Sequence, residues 1–175
     1  MIPVQVFTDG AARGNGTDLC VTGWSFVIPD FMGKRFIRYG HLPAPSTSNK
    51  AEIMGVLQAV DKLSKQSYFK VDIYSDSQYV VKSCNEWRKK WAPNYDIKNR
   101  KLLVPLFGLI DEAEAQLTIN WVKGHAGIPG NELADEYANY GRDMKIYERD
   151  DNIGNVKFVP PEDIKFDFGP DQGFL

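Results

Sequence analysis

Apolar and polar positions alternate over Val4-Gln5-Val6-Phe7, a period of two that predicts a β-strand ending at Thr8-Asp9-Gly10. The small, Gly-rich run over 11–18 predicts a loop. Residues 21–28 read as a second strand, Pro29-Asp30 as a turn, and the alternation over 34–41 as a third strand. Three strands joined this closely predict an antiparallel meander. After a Ser/Pro-rich loop at 43–49 the period changes. Ile53, Val56, Leu57, Val60 and Leu63 fall on one helical face, predicting a helix over 50–66. A short apolar strand follows at 71–75, then a helical pattern over 77–91 stopped by Pro93. The spacing next predicts a helix over 99–115, a strand over 117–122, a Gly-rich loop over 124–130 and a helix over 131–140 closed by Gly141. The order β-β-β-α-β-α-α-β-α implies an α/β fold. Three antiparallel strands take parallel additions through right-handed crossovers, giving a five-stranded mixed sheet flanked by helices.

The chain of 175 residues has room for one well-buried core but not for two large domains. No apolar run is long enough to span a bilayer. Met1-Ile2-Pro3-Val4-Gln5-Val6 has no basic stretch followed by an apolar one, so no signal peptide is expected. Cys20 and Cys84 lack metal-ligand spacing, so a reduced, cytoplasmic protein is expected. The net charge of −2 argues against a polyanion ligand only until its distribution is read. Residues 1–142 hold 17 basic against 15 acidic side chains, and residues 143–175 hold 4 against 8. Basic residues concentrate over 85–101, at Arg88, Lys89, Lys90, Lys98, Arg100 and Lys101. A local basic patch matters more to a polyanion than the total does. The division expected is a domain over 1–142 and an acidic, extended or disordered tail over 143–175 without a strand or helix period.

Asp9 and Asp76 each end a predicted strand. In an open α/β sheet, ligands sit beyond the carboxyl ends of parallel strands. If the two strands are neighbours, their carboxylates face one point and repel, a conflict that a hard divalent cation resolves. Local readings compete. Asp9-Gly10 fits a turn. Asp76 fits the N-cap of a helix starting at Ser77. Asn49-Lys50-Ala51-Glu52 has capping-box spacing. Asp135 fits a solvated helix face. His125 lies between glycines on a loop, where it could carry protons near neutral pH.

Four blocks have a wider likeness. Thr8-Asp9-Gly10-Ala11-Ala12-Arg13-Gly14-Asn15, Asn49-Lys50-Ala51-Glu52, Tyr74-Ser75-Asp76-Ser77-Gln78 and Trp121-Val122-Lys123-Gly124-His125 through Asp135 resemble, in order and spacing, the motifs of type 1 ribonuclease H. The likeness spans about residues 3–141. It implies an endoribonuclease that hydrolyses the RNA strand of RNA–DNA hybrids with two Mg²⁺ ions (or Mn²⁺), leaving 5′-phosphate and 3′-hydroxyl ends. It implies metal-binding catalytic roles for Asp9, Glu52, Asp76 and Asp135, with His125 helping proton transfer or product release. It implies minor-groove and 2′-hydroxyl contacts for Asn15, Asn49 and Gln78. Thr47 and Asn99 match a DNA-phosphate pocket, and Trp87 and Trp91 match positions packing on DNA sugars.

The chain departs from the common bacterial pattern in three places. The basic handle over 92–98 is short, Ser48 stands where an Asn is frequent, and the acidic tail has no counterpart. A hybrid-binding module without catalysis is a second reading, but all four acids are present. The nuclease part of a reverse transcriptase and a transposase relative are others. The start at Met1 and the Lys123-Gly124-His125-Ala126-Gly127 loop weigh against these. A free-standing monomer is expected, with Phe166, Phe168 and Phe174 in the acidic tail suggesting a docking peptide for a partner protein.

Overall fold

The structure is a computed structural model that describes residues 1–91, 96–147 and 154–164. Its strands are β1 (Ile2–Arg13), β2 (Val21–Phe31), β3 (Lys34–Leu42), β4 (Phe69–Ser75), β5 (Gln116–Trp121) and β6 (Asn155–Val159). Its α-helices are α1 (Ser48–Leu63), α2 (Gln78–Lys82), α3 (Arg88–Trp91), α4 (Arg100–Asp111) and α5 (Pro129–Arg142). The sheet has the order β5-β4-β1-β2-β3-β6. β1, β2 and β3 form the antiparallel meander, and β4 and β5 add in parallel beside β1.

The sheet therefore has six strands, not five. β6 pairs in parallel with β3, from Phe36 opposite Asn155 to Gly40 opposite Val159. The tail is thus not wholly without strand period. Val156 and Phe158 alternate with Asn155 and Lys157, over a span too short to stand out beside two prolines and an acidic surround. Tyr147 leads toward this strand. Its N–H donates to the Tyr39 hydroxyl at 2.7 Å, and that hydroxyl donates to the Lys145 carbonyl at 3.0 Å. The handle residues 92–95 and the tail residues 165–175, including the predicted docking Phe side chains, lie outside the described residues.

Each face of the sheet carries its own core. On one face Val4, Val6, Trp24, Phe26 and Ile73 pack with Ile53 and Leu57 of α1 and Leu103, Leu106 and Phe107 of α4. On the other, Phe7, Val27, Ile37 and Tyr39 pack with Ala134 and Tyr137 of α5. Two apolar faces need two covering layers, which the helices supply. Gly141 does not close α5. The helix runs on to Arg142, and a Cβ at Gly141 would lie 2.1 Å from the Gly40 carbonyl oxygen, so this glycine serves close helix–sheet approach.

The predicted helix over 77–91 is broken in character. Between α2 and α3, residues Ser83–Trp87 form a π-helical turn. The Ser83 hydroxyl donates to the Tyr79 carbonyl at 2.6 Å there, a local bond that competes with the regular ladder. Among the described residues no helix is long and apolar enough to cross a membrane.

Candidate active site

β1 does not end at Asp9. It continues to Arg13 by pairing with β2 alone. Its parallel ladder with β4, however, stops at Thr8 opposite Ser75. Asp9 and Asp76 are therefore the next residues on two neighbouring parallel strands. This is the crevice position expected for a ligand in such a sheet.

α1 brings Glu52 to the same point. The helix is capped by Thr47, whose hydroxyl accepts from the Lys50 N–H at 3.2 Å, so the capping-box reading of Glu52 does not apply. The third helical residue in a Thr47 box would be Lys50, which cannot accept an amide hydrogen. α1 crosses β1 so closely that a Cβ on Gly10 would lie 2.7 Å from the Glu52 amide nitrogen. The N-cap reading of Asp76 also fails. Ser77 caps α2, accepting from the Val80 N–H at 3.3 Å, which leaves the Asp76 carboxylate free to face the cluster.

One carboxylate oxygen from each of Asp9, Glu52 and Asp76 lies within 4.8 Å of the others. Asp9 is 4% exposed, and its Oδ1 accepts from the Gly10 N–H at 2.8 Å. Burial, then the neighbouring Asp76 charge, raises its pKa from 3.8 to about 8. Glu52 is raised well above the usual carboxylate range, first by burial and then by Asp9 and Asp76. Its Oε2 is buried with no hydrogen-bond partner among the described residues. Burial and the mutual repulsion of these acids thus favour their protonated forms when no cation is bound.

Asp135 comes from the opposite face of the sheet. Ser25 pairs with Asp9 across β1 and β2, and its hydroxyl donates to the Ala134 carbonyl at 2.6 Å. This bond seats α5 one residue before Asp135. The Asp135 charge also raises Asp9, more weakly than Asp76 does. The three clustered acids form the tight set, and Asp135 flanks it.

The other predicted positions lie on separate loops and helices. His125 is exposed on the loop before α5, with φ +53°. Asn15 accepts the Ser48 N–H at 3.2 Å, joining its loop to the start of α1 beside Thr47 and the exposed Asn49. Gln78 is exposed at the start of α2. Trp87 and Trp91 lie with ring centroids 5.8 Å apart, and Trp91 also packs on the core at 6.5 Å from Phe107. Asn99 sits in the left-handed region (φ 60°) and donates to the Tyr79 hydroxyl at 3.1 Å.

Sequence reading assigned no role to Asn131 or Ser25. Asn131 is 2% exposed and its amide lies 3.5 Å from Asp76 Oδ2. A polar residue buried inside the 121–135 block was the available signal for Asn131. Nothing local in the sequence marks Ser25.

The family described as RNase H matches residues 2–143. A curated relative, "Ribonuclease H" of Cupriavidus metallidurans (strain ATCC 43123 / DSM 2839 / NBRC 102507 / CH34), is 36% identical over 146 residues, covering 81% of this chain and 96% of its own. Among solved structures, LC9-RNase H1, a type 1 RNase H with the type 2 active-site motif, superimposes with TM-score 0.67 at 24% identity. That match covers 83% of this chain and 74% of the other. LC11-RNase H1 in complex with RNA/DNA hybrid gives TM-score 0.59 at 20% identity, covering 81% and 97%.

Proposed function

The chain belongs to the RNase H family of endonucleolytic hydrolases, and from that premise we propose that it cuts the RNA strand of RNA–DNA hybrids at a divalent-metal site built by Asp9, Glu52, Asp76 and Asp135. The observation that carries this reading is the meeting of three carboxylates within 4.8 Å, one with an unpartnered buried oxygen. Such a set fits a hard cation. Every donor is a carboxylate oxygen, the softer ligands His and Cys are absent from the cluster, and the mutual repulsion disappears on binding. Mg²⁺, or Mn²⁺ in its place, would supply charge neutralisation and Lewis acidity for phosphodiester hydrolysis, as two ions in the family's scheme.

The chain's own groups divide the remaining work. Asp9 is central, held by the Gly10 N–H and clustered with Glu52 and Asp76. Asn131 orients Asp76, and the Ser25–Ala134 bond orients Asp135. His125, exposed on its loop, is within this reading the group that moves a proton or helps release a product bearing a 5′-phosphate and leaving a 3′-hydroxyl.

Hybrid selectivity needs one strand read by its 2′-hydroxyls and the other by its sugars. Asn15, Asn49 and Gln78 would read the RNA strand, since their amide groups can bond hydroxyls and Asn49 and Gln78 are exposed. Thr47 and Asn99 would hold a DNA phosphate, and Trp87 with Trp91 would face the deoxyribose. The bound hybrid of LC11-RNase H1 supports this substrate class. All four acids come from one chain, consistent with action as a monomer. The test is a hybrid labelled on each strand in turn, beside duplex RNA and duplex DNA, with Mg²⁺ or with chelator. Cutting confined to the RNA strand of the hybrid, and only with metal, is the expected result. Equal cutting of the duplexes, or cutting in chelator, would overturn the proposal.

A further inference from the structure

Two cavities of about 340 and 350 Å³ adjoin at the end of the sheet away from the carboxylates, sharing Phe36, Lys62 and Asn155. Their walls differ in chemistry. One is cationic, with Arg38 from β3, Lys62 from α1 and Lys157 from β6. The other is aromatic and aliphatic, with Phe31, Tyr68 and Phe69, and has the amides of Gln66 and Asn155 at its edge. No acidic residue lines either cavity among the described residues.

Arg38, Lys62 and Lys157 make no ion pair within 4.0 Å among the described residues. Among the described residues, Arg38 Nε is buried with no hydrogen-bond partner, and the Asp61 charge reaches Arg38. The guanidinium of Arg38 lies 6.0 Å, and the Lys62 ammonium 5.7 Å, from the Phe36 ring centroid. Arg38, Lys62 and Lys157 line the same cavity, and such a grouping of like charges attracts an anion. An aromatic compartment beside them with amide hydrogen-bonding groups suits a flat heterocycle.

We propose that these adjoining cavities form a binding site for a nucleoside monophosphate, with the phosphate on Arg38, Lys62 and Lys157 and the base in the Phe31–Tyr68–Phe69 compartment. The combined size lies in the range of small-ligand sites. The site depends on β6, which supplies Lys157 and Asn155 and lies beyond the family match at 2–143. It is separate from the carboxylate cluster, so hybrid cleavage does not depend on it.

The probe is 5′-AMP, titrated into the full chain in chelator while backbone amide shifts are followed. The expected dissociation constant is on the order of 1 mM or tighter. Shifts should centre on Lys62 and 154–157 and leave Asp9 and Asp76 unmoved. Adenosine and inorganic phosphate should each bind at least tenfold more weakly. Lys62→Glu with Lys157→Glu should weaken AMP at least tenfold, while melting temperature and hybrid cleavage stay unchanged. Lys62→Arg with Lys157→Arg should keep binding. A 5′-phosphorylated oligonucleotide that binds at the same residues supports the site and identifies a strand end as its source of phosphate. If the charge-reversed variant binds AMP as well as the parent, if shifts centre on Thr47 and Asn99, or if only an acidic aromatic peptide binds, the proposal is wrong.

Discussion

Asp9 is 4% exposed, and its nearest functional neighbours are two other acids. In the folded, metal-free protein its proton is held until about pH 8, whereas the unfolded chain releases it near 3.8. The folded state thus binds the extra proton, and the stability it contributes is full below about pH 4 and lost as pH rises toward 8. In chelator, melting temperature should fall between pH 5 and 8, with a slope of up to about 1.4 kcal/mol per pH unit per carboxyl. Asp9→Asn should flatten that profile, and Mg²⁺ should restore stability at pH 8. A profile that is flat in the parent protein, measured by thermal melting, would show that burial does not raise the Asp9 carboxyl. The two strand-end acids were legible from their position after apolar runs. Glu52 was not, because its spacing also fitted a cap. Which residue caps α1 depends on where the chain leaves extended geometry, and Thr47 at φ −143° and ψ 157° does so.

At the scale of elements, α5 carries Asp135 to the cluster from the face opposite α1, and Ser25 fixes where it lands. Ser25→Ala removes a buried bond and leaves the Ala134 carbonyl without that partner. It should cost about 1–3 kcal/mol of stability, read by denaturant unfolding. It should also lower the hybrid-cleavage rate at saturating substrate while leaving KM nearly unchanged, because Asp135 and not the substrate surface is displaced. An unchanged rate would separate Ser25 from the site. The long helices and the meander were legible because their periods are sustained. The π turn at Ser83–Trp87 was not, since its trigger is a single hydroxyl bonding back to Tyr79. The Ser25–Ala134 contact joins residues 109 apart and leaves no mark on either segment.

For the whole molecule, β6 turns part of the acidic tail into the edge of the sheet, with Val159 7% exposed and Phe158 5.4 Å from Tyr39. Ending the chain at Arg142 uncovers that edge and the Tyr39 contacts. Melting temperature should fall by roughly 6–12 °C, as expected from several buried or half-buried apolar side chains. No change on truncation would make β6 an ornament. The strand escaped sequence reading because five residues hold too few alternations to outweigh the prolines and acids around them. Hybrid binding, if it runs through phosphates as proposed, should weaken steeply with salt, so that KM rises with ionic strength while the saturated rate changes little. A KM independent of salt would contradict that surface. Four carboxylates from four separate segments are proposed to act as one metal-dependent site. The measurement that tests it most directly is Mg²⁺-dependent cleavage of a labelled RNA–DNA hybrid by the parent chain and by Asp9→Asn, Glu52→Gln, Asp76→Asn and Asp135→Asn, each shown to be folded. RNA-strand cleavage by the parent is expected, with a loss of at least about a hundredfold in each variant, the equivalent of several kcal/mol at the transition state. Undiminished cleavage by the Asp9→Asn variant would contradict the proposed site.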